Sequence, residues 1–172
     1  MTRWAAGILG ILGVLILFTS PLFALNSEMN RATLEGLKGV RVLIEEPAPE
    51  AEKEGLAKDN LQKEVEKRLV TSGIKVLTQE EAAGEPGEPY LYLNINLSCS
   101  KTGEEVCSYS VDLALIQNVT LVRDPKQTSY AITWSTGGVG LLAKKSVGQL
   151  KESVGEVVDI FVRAFFSVNP KK

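Results

Sequence analysis

Histidine is absent from this chain, and its absence excludes more functions than any other feature of the composition. Without histidine there is no Ser-His-Asp triad, no Cys-His pair, no histidine-ligated zinc and no histidine general base. Basic residues are also too few for the basic footprint of a nucleic-acid binder, since 19 Lys and Arg stand against 21 Asp and Glu. What remains is a mildly acidic chain of 172 residues, with 44% hydrophobic residues, which fits one globular domain and argues against wholesale disorder.

The N-terminal segment has the pattern of an export signal. Arg3 is its only charge, an apolar run extends from Ala5 to Phe18, and Ala24 offers a small residue for cleavage. Residues 1–24 are therefore expected to be a signal peptide. The alternative is an uncleaved anchor, because the 22 residues of 4–25 are long enough to span a bilayer. Both interpretations place the remainder outside the cytoplasm, in the periplasm, secreted, or anchored to the inner membrane, and no cysteine follows the apolar run to carry a lipid.

The first half of the exported part predicts a strand, a helix and a second strand. Alternating apolar residues over 40–44 indicate a strand, and apolar residues at helical spacing over 56–69 indicate a helix that Gly73 ends. Residues 74–78 suit a second short strand. Strand, helix and strand joined by tight links favour a right-handed βαβ unit, in which the two strands are parallel.

The second half predicts a hairpin, a further strand and a long helix. Apolar residues alternate over 91–97 and again over 109–115, which is typical of two hairpin strands with one buried face. Residues 130–135 alternate as a fifth strand after a turn at Asp124-Pro125, and residues 137–143 are interpreted as a flexible connection. One apolar stripe then predicts the last helix, formed by Val147, Leu150, Val154, Val157, Phe161, Phe165 and Val168.

Together these elements predict an α+β fold arranged as a two-layer sandwich. Its single mixed sheet has about five strands in the order β-α-β-β-β-β-α, with two helices on one face, preceded by the N-terminal hydrophobic segment. The predicted division is a signal peptide or anchor over 1–24, a linker over 25–35 and a single α+β domain over 36–172.

The two cysteines predict a disulfide across the hairpin. If Cys99 lies opposite Cys107, every apolar residue of one strand meets an apolar residue of the other, and polar residues also meet. Directly opposed residues come within the distance that a disulfide requires, and export supplies an oxidising compartment. The alternative is a pair of buried free thiols.

The second face of the hairpin is the candidate docking face. It carries two tyrosines and several small polar residues, which suit contacts with a protein or a glycan. An ordinary solvated sheet face is the alternative. Its candidate residues are Tyr90, Tyr92, Asn94, Asn96, Ser110 and Asp112.

The remaining motifs do not indicate a nucleotide-binding or catalytic site. Gly138-x-Gly140-x-x-Ala143 matches the relaxed dinucleotide fingerprint, but no strand follows the last helix to carry the acidic residue that this fingerprint needs. Carboxylates such as Glu45 and Glu46 are interpreted as solvated loop residues rather than a glycosidase pair. We therefore predict no catalytic residue, no cofactor and no metal site.

Particular stretches of this sequence resemble two groups of proteins. GVRVLIEE, LQKEVEKRLVTSGIKVLT, YLYLNINL and the final helix, over 37–168, have an element order similar to periplasmic α/β modules of envelope assembly proteins. Examples are the amino-terminal domain of the Tol-Pal β-propeller protein and the curli secretion lipoproteins, whose lipobox this chain lacks. GVRVLIEE, YLYLNINL and TWST also resemble a set of short, uncharacterised exported bacterial proteins. Neither resemblance implies catalytic residues.

We therefore expect an exported bacterial protein that is not an enzyme. Its expected role is that of a binding or assembly module of the cell envelope, with envelope or membrane proteins as partners and no nucleic acid. One alternative is an accessory subunit of a membrane complex, touching the membrane only through residues 4–25. Another is a small-ligand carrier, or a hydrolase that uses Asp and Glu alone.

Overall fold

The computed structural model describes residues 25–101 and 105–170, and the expected signal peptide or anchor over 1–24 lies outside the described residues. The fold is α+β, with one mixed sheet whose strands follow the order β1-β2-β3-β4. The strands are β1 Arg41–Ile44, β2 Tyr90–Cys99, β3 Val106–Leu121 and β4 Asp124–Ala143. The helices are α1 Glu28–Ala32, α2 Pro49–Lys53, α3 Lys58–Ser72, α4 Gln79–Ala83 and α5 Leu150–Val168, the last preceded by a 3₁₀ helix, Lys144–Gln149. Strand β1 is parallel to β2, and the other neighbours are antiparallel.

Helices α3 and α5 pack against each other and supply the apolar cover of the sheet. The predicted apolar stripe of the last helix is buried in the structure, and Phe161 is its most enclosed aromatic residue. Phe161 packs edge-on against Trp134 of β4, with ring centroids 5.2 Å apart. Alternate strand residues point to opposite faces, and in the described part of the chain those on the other face, such as Asn94 and Val139, are half-buried or exposed, so no described helix covers that face.

The end of α3 follows the sequence prediction. Gly73 is the residue after the helix, and its φ of 93° lies in the left-handed region that glycine adopts without strain. Its backbone N–H donates to a carbonyl of the last turn, which satisfies a group that the helix end leaves unpaired.

The predicted strand over 74–78 is wrong, and within the described residues the sheet has four strands instead of five. Only Val76 pairs, through an isolated parallel bridge to Val40. The stretch ends after this bridge because Thr78 starts α4. The Thr78 hydroxyl accepts from the Glu81 N–H, and the Glu81 carboxylate accepts from the Thr78 N–H, which forms a capping box.

The predicted flexible connection over 137–143 is also wrong, because these residues continue β4 as far as Ala143. Two of their three glycines, Gly137 and Gly140, are sites of close approach, whereas Gly138 faces open space. A Cβ on Gly140 would lie 2.8 Å from the Tyr109 ring, and a Cβ on Gly137 would lie 2.7 Å from the Val111 carbonyl oxygen. Small residues therefore let β3 and β4 pair along their whole length.

The structure differs from the linker expected over 25–35. This stretch contains α1, and Leu34 is fully buried in the core. Asn169, just after α5, binds the stretch through its side chain, which accepts from the Gly36 N–H at 2.8 Å and donates to the Leu34 carbonyl at 2.8 Å. The region is therefore part of the folded domain.

Strands β3 and β4 extend beyond the rest of the sheet as a hairpin arm. Strand β2 starts at Tyr90, opposite Ile116, so the residues of β3 after Asn118 pair with β4 alone. The turn lies at Val122 and Arg123, two residues earlier than the predicted Asp124-Pro125 turn. Val122 is 98% exposed at the tip of this arm.

Candidate functional site

The cysteine pair forms the predicted disulfide. Cys99 and Cys107 are bonded, with Cα atoms 3.9 Å apart, at the end of the ladder between β2 and β3. The predicted register is confirmed along the hairpin, since Leu97 pairs with Tyr109 and Leu93 pairs with Leu113. The alternative of two free thiols is therefore wrong.

The candidate docking residues share the face that the helices leave uncovered. Tyr90, Tyr92, Asn94 and Asn96 alternate with buried leucine and isoleucine along β2, so their side chains point away from the core. Ser110 lies beside them on β3, and its hydroxyl accepts from the Asn96 amide at 3.2 Å. We call this side of the sheet the outer face.

Five of the six predicted residues line two depressions of the outer face. Tyr90 lies at one end, against the ring of Tyr130 with centroids 6.0 Å apart, in a pocket of about 270 Å³ that Arg41 and Glu88 also line. Tyr92, Asn94, Asn96 and Ser110 line a groove of about 1130 Å³ at the opposite end. We call it the outer groove. The sixth residue, Asp112, pairs with Asn94 but lines neither depression.

Two tyrosine hydroxyls of the outer face are held by carboxylates. Tyr92 donates to Glu45, and this hydrogen bond, together with burial, raises the pKa of Tyr92 to about 12. Tyr130 donates to Glu88 at 2.6 Å, and this bond likewise raises the pKa of Tyr130. Because a phenolate beside a carboxylate is unfavourable, both tyrosines stay protonated and fix the positions of their acceptors.

Sequence reasoning missed both ends of the outer groove. Glu45 and Glu46, interpreted as solvated loop residues, line one end directly after β1. Val139 and Leu141, interpreted as part of a flexible connection, line the other end as exposed residues of β4. The signal in the sequence was the two-residue spacing of Val139 and Leu141, which is typical of a strand although it is out of phase with the apolar positions of residues 130–134.

The two glutamates of the outer groove are engaged by neighbouring side chains. Glu46 accepts from the Lys58 ammonium at 3.2 Å, and Glu45 accepts from the Tyr92 hydroxyl. They are adjacent in sequence and do not face each other across a cleft, as a glycosidase pair would. Over 25–101 and 105–170, no group of three or more Cys, Asp or Glu side chains is placed to hold a metal ion.

No known protein-family model matches this chain, and no curated protein is similar to it in sequence. None of the helices within the described part of the chain is long and apolar enough to cross a bilayer. The outer groove, with the disulfide-closed hairpin beside it, is the candidate functional site of the described chain.

Proposed function

We propose that this protein is an exported, non-catalytic binding module that docks a protein of the cell envelope through the outer groove. The observation that carries the proposal is the groove of about 1130 Å³ on the sheet face that the helices leave uncovered. Asparagine and serine side chains along its floor can donate and accept hydrogen bonds, and exposed aliphatic residues at one end can bury area on contact. A docking surface needs this combination, and it needs no catalytic group.

Export to the periplasm, or beyond it, is part of the same proposal. The Cys99–Cys107 disulfide is compatible with an oxidising compartment, where such bonds form and persist. The apolar pattern of residues 1–24 supports passage through the export machinery.

A photo-crosslinking amino acid tests the docking function. Placed at Asn96 in the producing cell, it should give an adduct with a discrete partner that mass spectrometry identifies. Placed at Glu156, on the exposed side of α5, it should give none. The double variant Tyr92→Ala with Asn94→Ala should lose the same adduct. Equal adducts from both positions, or a partner that stays bound to the double variant, would contradict the proposal.

A second candidate function is that of a membrane-anchored accessory subunit. One observation favours it: the Ser135 N–H of β4 donates to the Leu25 carbonyl at 3.2 Å, so the chain enters the domain along the edge of β4. An anchor formed by residues 4–25 would then hold the domain by this edge. Intact mass of the membrane and soluble fractions distinguishes the two, because a full-length membrane species supports the anchor and a soluble species lacking residues 1–24 contradicts it.

A further inference from the structure

We propose that the outer groove takes an extended, cationic peptide segment that crosses the strands, with a Lys or Arg at the β1 end and an aliphatic side chain at the β4 end. This inference rests on the proposed docking function and adds the chemistry of the partner. It follows from the distribution of charge and apolar surface along the groove and from the distance between its two ends.

The β1 end is acidic. Glu45 follows β1, and its backbone N–H donates to the Leu93 carbonyl at 2.9 Å, which fixes the start of the loop against the sheet. Lys58 offsets the charge of Glu46, whereas Glu45 is held only by an uncharged phenol. No Lys or Arg is among the residues that line the groove, so the charge of Glu45 is not offset by a cation of the lining.

The β4 end is apolar and exposed. Val139 is 66% exposed and Leu141 is 75% exposed, and both lie on the outer face because they pair with Ser110 and Ser108 of β3. They are two residues apart on one strand, so their side chains form one small aliphatic surface. This aliphatic surface favours an aliphatic side chain of the partner at the β4 end.

The span between the two ends sets the spacing of the ligand's residues. Three inter-strand steps of about 4.8 Å separate β1 from β4. Glu45 follows Ile44, which pairs with Leu93, whereas Val139 is level with Asn96 through Ser110, so the two ends also lie two residues apart along the strands and are roughly 16 Å apart. An extended peptide rises about 3.3 Å per residue, so four to five residue steps cover this distance, and an even number of steps puts both side chains on one face of the peptide. The ligand should therefore carry its basic and aliphatic residues at positions i and i+4. Asn94 and Asn96 lie between the two ends, where their amides can bond the main chain of the peptide.

A matched set of synthetic peptides tests this chemistry by NMR on the isotope-labelled, disulfide-bonded protein. The probe is acetyl-Lys-Ser-Thr-Ser-Leu-amide, which should shift the backbone amides of Asn94, Asn96 and Val139. Replacing its lysine by glutamate removes one surface charge pair, and replacing its leucine by serine removes one small apolar contact. Either loss should weaken binding about five-fold or more. A further peptide has serine in place of the lysine, and added salt should weaken binding of the probe but not of this uncharged peptide.

Variants of the protein locate the two contacts. Glu45→Gln removes the charge but keeps an oxygen that can accept from Tyr92, and Leu141→Ser removes the aliphatic surface. Both should weaken the probe about five-fold. The matched controls are Glu156→Gln on α5 and Val122→Ser at the hairpin tip, and neither should change the affinity.

The outcomes distinguish a failure of the cationic-peptide inference from a failure of the docking function on which it rests. If the glutamate peptide binds as well as the probe, or if a neutral oligosaccharide such as maltoheptaose shifts the same amides instead, the cationic-peptide inference is overturned while docking stands. If no peptide shifts these amides at about 5 mM, the inference is likewise overturned. Docking itself is judged by the crosslinking experiment, and it fails if the crosslinker at Asn96 captures no partner, captures no more than the crosslinker at Glu156, or captures a partner that stays bound to the double variant.

Discussion

Removing the Cys99–Cys107 bond should lower the free energy of unfolding by about 2.5 kcal/mol. The bond closes a loop with a sequence separation of 8, and the chain-entropy relation assigns about 2.5 kcal/mol to a loop this short. The double variant Cys99→Ala with Cys107→Ala removes the bond and leaves no thiol. The loss arises mainly because the unfolded chain gains freedom, since the ladder beside the bond is held by its own hydrogen bonds and apolar pairs.

Urea unfolding followed by far-ultraviolet circular dichroism measures this loss. With a slope of about 2 kcal/mol/M, the midpoint should fall by about 1.2 M. The midpoint of thermal unfolding should fall by about 5–10 °C for a domain of this size.

Reduced wild-type protein is the control, because reduction breaks the bond and removes no side chain. Its unfolding midpoint in urea should match that of the double variant. If the oxidised wild type and the double variant unfold at the same urea concentration, the bond does not constrain the unfolded chain and the reasoning is refuted.

Three further predictions concern side chains of the core, of a helix cap and of the outer face. Phe161→Ala should cost about 3–5 kcal/mol of unfolding free energy, because Phe161 is fully buried; a loss below 1 kcal/mol in urea unfolding would contradict this. Thr78→Ala should cost about 1 kcal/mol, since it removes the hydroxyl that caps α4, whereas Thr78→Ser should cost much less in the same measurement. In a spectrophotometric pH titration, one tyrosine should ionise only near pH 12, and Tyr92→Phe should remove that step. The raised pKa of Tyr92 means that its bond to Glu45 stabilises the fold below about pH 10 and ceases to do so as the pH rises through 12.

The sequence predicts the hairpin best because two independent patterns agree there. Period-two alternation fixes which face is buried, and the cysteines fix the register, since a slip by one residue would reverse the faces. The structure confirms that register from the Leu91–Leu115 pair to the Cys99–Cys107 pair. The stripe of the last helix was equally visible because it extends over several turns.

Short or glycine-rich stretches could not be predicted because they lack a period to detect. Helix α1 spans a little more than one turn, and only the Ser27 hydroxyl, which accepts from the Asn30 N–H, marks its start. Gly137 and Gly140 signal flexibility in a sequence, yet in the fold they admit neighbouring atoms of β3. A sequence shows that a glycine is present but does not show what approaches it.

Only the central part of the candidate site could be predicted from the sequence, for a related reason. Tyr92, Asn94 and Asn96 belong to the strand whose alternation was clear, so their shared face followed directly. Glu45 follows β1 and Leu141 is on β4, the strands at opposite edges of the sheet, and only the order of the strands brings these residues to two ends of one groove. Strand order depends on long-range pairing that the local pattern of residues does not contain.

The hairpin arm gives experimenters a place to attach a label. Both ends of the described chain are tied to the domain, Leu25 by Ser135 and Asn169 by Gly36. The turn at Val122 and Arg123, by contrast, is exposed, and neither residue lines the outer groove. An epitope or a fluorophore-binding peptide inserted between these two residues should therefore report where the protein goes in the cell without altering what the groove can bind.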